Sequence, residues 1–133
     1  MSYDTTVYSK KKDGNVKLSK NFTLFEFGCK DGSDIVIVNP ALVNLLQTIR
    51  DHFGVPVTIN SAYRTVAYNS KVSGSSSESQ HCMGNACDIV VEGISPSVVA
   101  DYCEKIMPYT GGIGRFSTFT HADVRSVKAR WRG

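Results

Sequence analysis

Ser79-Gln80-His81-Cys82-Met83-Gly84-Asn85-Ala86-Cys87-Asp88, running on into Ile89-Val90-Val91, is the stretch that decides how this chain folds. It sets a histidine and an aspartate seven positions apart across a loop that carries a glycine, and the apolar run that follows reads as a β-strand. Asp88 therefore opens a rigid element, while His81 is held by the loop before it. A second histidine lies in another strand-like run, Phe119-Thr120-His121-Ala122-Asp123-Val124. Alternate side chains of a strand share a face, so Phe119, His121 and Asp123 point one way. If the two strands are neighbours, His81, Asp88 and His121 converge. Two imidazoles and one carboxylate make a three-ligand shell with a fourth position open, which is how a catalytic zinc site is built, with one Zn2+ per chain; a structural site closes all four positions.

Outward from this stretch the pattern alternates between helix and strand. Asn39-Pro40 opens the clearest helix, with apolar Leu42, Leu45, Leu46, Ile49 and Phe53 at helical spacing and Gly54 just past the end. Residues 56–62 are β-branched and alternating, which predicts a strand. A short helical stretch follows at 65–72, and Ser73-Gly74-Ser75-Ser76-Ser77 is a loop that delivers the chain to His81. Ser95-Pro96 caps a second long helix to about residue 107, and Gly111-Gly112 leads into a strand pair at 113–116 and 119–124. The order predicts an α+β fold, an antiparallel sheet with helices packed on it. Residues 1–20 are polar and carry the turn signal Asp13-Gly14, so they are expected to form an N-terminal arm or short hairpin ahead of a single domain at 21–133.

Composition narrows the function classes. With 133 residues and 41% hydrophobic content the chain suits one core, and a formal charge of +3 without a basic stripe interleaved with aromatics argues against a nucleic-acid partner. Lys10-Lys11-Lys12 and the group Arg125, Lys128, Arg130 and Arg132 read as solvated charge, or as a surface favouring an anionic wall polymer. Residues 1–12 lack an apolar leader core and no run approaches a membrane span, so the expectation is a monomer made in the cytoplasm without a signal peptide and without membrane insertion. The four cysteines, Cys29, Cys82, Cys87 and Cys103, have no paired CxxC spacing and are expected to be free thiols. A structural zinc using Cys82, Cys87 and His81 is the discounted alternative.

Three separated motifs carry a resemblance. Ser61-Ala62-Tyr63-Arg64-Thr65 with Asn69, then Ser79, His81, Gly84, Ala86 and Asp88 at their present spacing, then residues 119–125 with Ala129-Arg130-Trp131, resemble the M15 zinc peptidases over roughly residues 20–132. That group includes D-alanyl-D-alanine carboxypeptidases and phage endolysins, and shares its fold with the hedgehog signalling domain. The resemblance implies a hydrolase of D-amino-acid-containing bonds in peptidoglycan stem peptides, a D,D-carboxypeptidase or endopeptidase, with zinc-bound water as nucleophile. Its setting would be the bacterial cell wall, with a phage-encoded enzyme released by a holin or carried on a tail as one origin. His81, Asp88 and His121 take the places of the zinc ligands, and Arg64 that of an arginine binding a substrate carbonyl or carboxylate, which its planar fork of donors suits.

The chain departs from the family at the general base. Many members carry Glu or His two or three residues before the second zinc histidine, where this chain has Phe119 and Thr118. Asp123 is the nearest substitute, as base or as a carboxylate that orients a ligand; Glu78 is a second choice. Ser79 is assigned to holding its loop. Tyr63, Gln80 and Trp131 are candidate substrate contacts, each explicable by packing alone, and His52 is read as a helix-terminal or surface residue. A zinc-containing wall-binding module without catalysis is the competing function on the same fold.

Overall fold

Strand geometry follows the alternation read from the sequence: Cys87, Ile89 and Val91 are inaccessible and interleave with Asp88, so one face of this strand enters the core and the other carries polar chemistry. The computed structural model describes residues 5–72 and 79–133. In chain order the elements are β1 (Thr6–Ser9), α1 (Lys10–Asp13), β2 (Lys17–Ser19), β3 (Phe22–Thr23), β4 (Ile35–Val38), α2 (Pro40–Phe53), β5 (Val57–Ser61), α3 (Val66–Asn69), β6 (Ala86–Val91), α4 (Pro96–Ile106), β7 (Gly112–Arg115), β8 (Thr120–Asp123) and β9 (Ala129–Arg132). Single 3-10 turns lie at Leu24–Phe27 and Gln80–Met83.

The principal sheet has the order β5-β6-β8-β7-β9. Neighbours from β5 to β7 are antiparallel, as expected, and β9 adds a parallel edge to β7 that the sequence reading did not anticipate. Helices α2 and α4 touch each other and the sheet. Their apolar residues Leu42, Leu46, Ile49, Val99, Ala100 and Cys103 join Cys87, Ile89, Ile113 and Ala122 in one core. Full burial of a side chain such as Leu46 or Ile49 stabilises by roughly 1.5–3 kcal/mol. The fold is α+β, and among the described residues no helix is long and apolar enough to cross a membrane.

Of the residues expected to form an arm or short hairpin, 5–20 are described and carry two strands that pair with later ones. β1 pairs antiparallel with β4, from Thr6↔Val38 to Ser9↔Ile35, and β2 pairs with β3 across residues 20–21. The missed partner β4 is short and lies 26 positions further on, so no local signal marks the pairing.

α2 begins and ends where the sequence predicts. Asn39 Oδ1 accepts from Ala41 N at 2.9 Å, and Gly54 closes the helix in the left-handed region with φ 69°. Asn39 also ties the helix to the His81 turn, through Asn39 N to Gly84 O at 2.9 Å and Asn39 Nδ2 to Asn85 Oδ1 at 3.1 Å. Gly84 has φ 77°, and a Cβ there would stand 2.5 Å from the carbonyl oxygen of Ile37, so this turn can seat on β4 only with glycine. Replacing Asn39 by Ala should lower unfolding free energy by about 1–2 kcal/mol, from a lost cap plus an Asn85 Oδ1 left without its donor. Urea unfolding should show it as a lower midpoint at unchanged slope.

Candidate metal centre

Three elements bring the polar side chains together. β6 and β8 pair so that Asp88 stands opposite His121, and His81 sits in the 3-10 turn that feeds β6. Ser79 caps that turn by accepting from His81 N at 3.1 Å, the loop-holding role expected of its hydroxyl. The 61–65 segment runs alongside: Arg64 N donates to His81 O at 3.2 Å, and His81 Nδ1 lies 2.7 Å from Ala62 O. A carbonyl only accepts, so Nδ1 carries the proton and Nε2 presents a lone pair. That lone pair faces Asp88 Oδ1 at 3.4 Å.

His121 is oriented from its other side. Its Nδ1 is 3.0 Å from Asp88 Oδ1 and its Nε2 is 2.8 Å from Asp123 Oδ2. A proton on Nε2 toward Asp123 leaves Nδ1 as the donor atom of this ring. One ligand atom from each of His81, Asp88 and His121 lies within 4.8 Å of the other two, and all three residues are buried. Tetrahedral zinc with bonds of 2.0–2.2 Å separates its ligand atoms by roughly 3.4 Å, close to the 3.4 and 3.0 Å found around Asp88 Oδ1. Nitrogen and carboxylate donors suit zinc, so the residues fit the ion.

Arg64 completes the surroundings of Asp88. Its guanidinium donates to Asp88 Oδ2 at 3.2 Å, Asn69 Oδ1 at 3.2 Å and Ser61 Oγ at 3.0 Å. One carboxylate oxygen is thus held by an arginine while the other faces the two imidazoles. Burial works against charge on Asp88, but when the inner nitrogens of His121 and His81 carry protons in place of a metal their hydrogen bonds outweigh it and hold the carboxyl well below its usual range. For Asp123, burial is likewise outweighed, by His121 and Arg125. On His121 burial disfavours the cation, yet bonding to Asp123 and Asp88 raises its pKa above the ordinary 6.5.

Asp123 is placed beside the ligand set rather than within it. It is wholly inaccessible; Oδ1 accepts from Gly112 N, Arg125 N and Arg125 Nε, and Oδ2 from His121 Nε2 and an Arg125 terminal nitrogen. Five donors on about four lone-pair sites leave no place for a substrate water. The geometry therefore favours orientation of His121 over proton abstraction. Glu78 and the loop at 73–77 lie outside the described residues.

The expected substrate contacts divide. Trp131 stands 4.9 Å from the His121 ring, whereas the Gln80 amide oxygen is taken by Asn85 Nδ2 at 3.0 Å and Tyr63 packs half-buried against the core. His52 is exposed and stacks on Tyr102 at 3.8 Å. All four cysteines are free, and the Cys87 thiol lies within the core, where burial raises its pKa well above the ordinary value. Among the described residues His81, Asp88 and His121 are the one group able to hold a metal, which removes the Cys82/Cys87 alternative.

Two glycines with no obvious sequence signal make this arrangement possible. Gly112 and Gly114 on β7 face Asp123 and His121 across the hairpin; a Cβ at 112 would collide with the Asp123 carboxylate, and one at 114 would lie 2.7 Å from Trp131 Nε1. Their i, i+2 spacing ahead of the histidine strand is the available clue.

The family described as Peptidase M15 matches residues 17–123. No curated protein matches the chain.

These pKa directions fix a linkage prediction. Depressed carboxylates stabilise the fold above the ordinary 3.8, with the benefit lost as pH falls; raised His121 stabilises it below 6.5, with the benefit lost as pH rises. Chelator-treated protein should therefore melt highest between those values. Added zinc displaces the His121 proton, so the zinc-induced rise in melting temperature should grow with pH through 6.5. A zinc-induced rise that is flat across this range in differential scanning calorimetry would contradict the assignment.

Proposed function

The chain belongs to the peptidase M15 family, whose members are zinc-dependent, and from that premise we propose that it is a zinc peptidase hydrolysing D-amino-acid-containing bonds of peptidoglycan stem peptides. The observation that carries the reading is the meeting of His81 Nε2, Asp88 Oδ1 and His121 Nδ1 around one point, with Arg64 on the far oxygen of Asp88. Zinc, when bound, supplies polarisation of the scissile carbonyl and a lowered pKa for water.

The chain's own residues do the rest. Arg64 uses three of its five N–H groups on Ser61, Asn69 and Asp88, leaving two for a substrate carbonyl or terminal carboxylate beside the ligand set. Its packing fixes the planar fork before substrate arrives, so little ordering remains to be done on binding. Ala62 O and Asp123 hold the outer nitrogens of the two imidazoles, which aims the inner ones at the same point. The saturation of Asp123 gives the competing reading, a zinc-containing wall-binding module, its one specific support.

Incubation with defined muropeptides, with and without chelator, followed by mass analysis separates the two. Zinc-dependent loss of D-Ala or scission is expected; intact muropeptides at one bound zinc would favour the binding module. His81→Ala and His121→Ala should lose zinc and turnover together. Arg64→Ala, saturated with zinc, should lose on the order of a hundredfold in turnover, about 2.7 kcal/mol. Unchanged turnover would remove Arg64 from substrate binding.

A further inference from the structure

The family match ends at Asp123, and the arginine that grips both oxygens of Asp123 lies two residues beyond it. Arg125 Nε donates to Asp123 Oδ1 at 2.8 Å, an Arg125 terminal nitrogen donates to Oδ2 at 2.7 Å, and Arg125 N adds a third bond to Oδ1 at 3.1 Å. The same guanidinium lies over the Trp131 ring, 5.2 Å from its centre, and Trp131 in turn abuts His121. Trp131 reaches that place because β9 pairs in parallel with β7, opposite Gly114, whose missing side chain leaves room for the indole.

We infer that Arg125, clamped between Asp123 and Trp131, is a positioning residue for His121 that sets the affinity of the centre for its metal. The inference rests on the zinc reading above. Forked, charge-assisted bonding fixes both oxygens of Asp123 in one plane, with Oδ2 held facing His121 Nε2. Without the fork Asp123 Oδ1 keeps the Gly112 and Arg125 backbone N–H groups, but Oδ2 keeps only the imidazole and loses the guanidinium that fixes its direction. The ring then has a partner whose position is less firmly fixed, and Nδ1 is aimed inward less strictly. Outer partners of ligating histidines typically account for 10- to 100-fold in metal affinity. Lysine restores the charge but not the two-point fork, so it rescues only in part.

The test uses the full chain with zinc and cobalt(II) as probes. Zinc affinity is measured by competition with a chelating dye, the cobalt(II) visible spectrum reports the ligand field, and the melting temperature of the metal-free form reports folding. Arg125→Ala should weaken zinc binding roughly 10- to 100-fold and alter the cobalt bands, with Arg125→Lys between it and the parent. Arg132→Ala, which removes an exposed arginine from β9, should match the parent. A folded Arg125→Ala that binds zinc within about threefold of the parent overturns the inference. Where Arg125→Ala does not fold, Arg125→Lys decides: parental affinity and cobalt bands overturn the inference, and weakened binding with a nearly unchanged metal-free melting temperature upholds it. Failure of the parent chain to bind zinc would instead sink the peptidase reading.

Discussion

The register between β6 and β8 is the constraint on which the centre depends. Asp88 pairs opposite His121, and Asp123 and Ala86 pair two steps along, so the polar groups share one face while Cys87 and Ala122 share the other. Strand side chains alternate with a period of two, and a slip of one residue would turn His121 and Asp123 into the apolar layer beneath α2 and α4. The reverse slip of core residues would expose Ile89 and Ala122. Burial of the apolar set therefore fixes the chemical set: the same pairing that fills the core brings imidazole and carboxylate to 3.0 Å.

Around that register each acidic group has its own cation. Arg64 serves Asp88 from the 61–65 segment, and Arg125 serves Asp123 from the turn after β8. Lone buried carboxylates are costly, and paired ones are tolerated when hydrogen bonds satisfy the remaining oxygens. This division explains why two acids can sit so near one histidine. Asp88 keeps an oxygen turned toward the ligand point because its other oxygen is engaged, whereas every lone pair of Asp123 is taken.

How legible this was depended on how far each signal reaches along the chain. The ends of α2 were readable because Asn39, Pro40 and Gly54 act within a turn, and Ser95-Pro96 marked α4 in the same way. The histidines and Asp88 were readable because their residue types and spacing have few other uses. The β1–β4 pair and the parallel docking of β9 were not, since both depend on partners far off in sequence and on strands of four residues. Gly112 read as part of a turn and Gly114 as a strand residue; their meaning is the space they leave for Asp123 and Trp131, which appears only when β7 lies beside β8 and β9. Asp123 was ambiguous for a related reason. Its position on the strand shows that it faces His121, but not that Arg125 two residues later folds back to occupy it.

Charge balance carries the argument one step further. Two carboxylates, Asp88 and Asp123, are matched by two guanidinium groups, Arg64 and Arg125, and the imidazoles must be neutral to ligate. With both imidazoles neutral these four side chains sum to zero. A bound dication then leaves an excess of two positive charges in a largely desolvated site, where field strength is high. On the proposed reading that excess is what a substrate meets, together with the two spare N–H groups of Arg64. It favours groups that bring or develop negative charge at oxygen, such as the terminal carboxylate of a stem peptide and the oxyanion formed as its amide bond is attacked. On that reading the two arginines have unequal work: Arg125 serves geometry, while Arg64 divides its donors between Asp88 and the incoming chain.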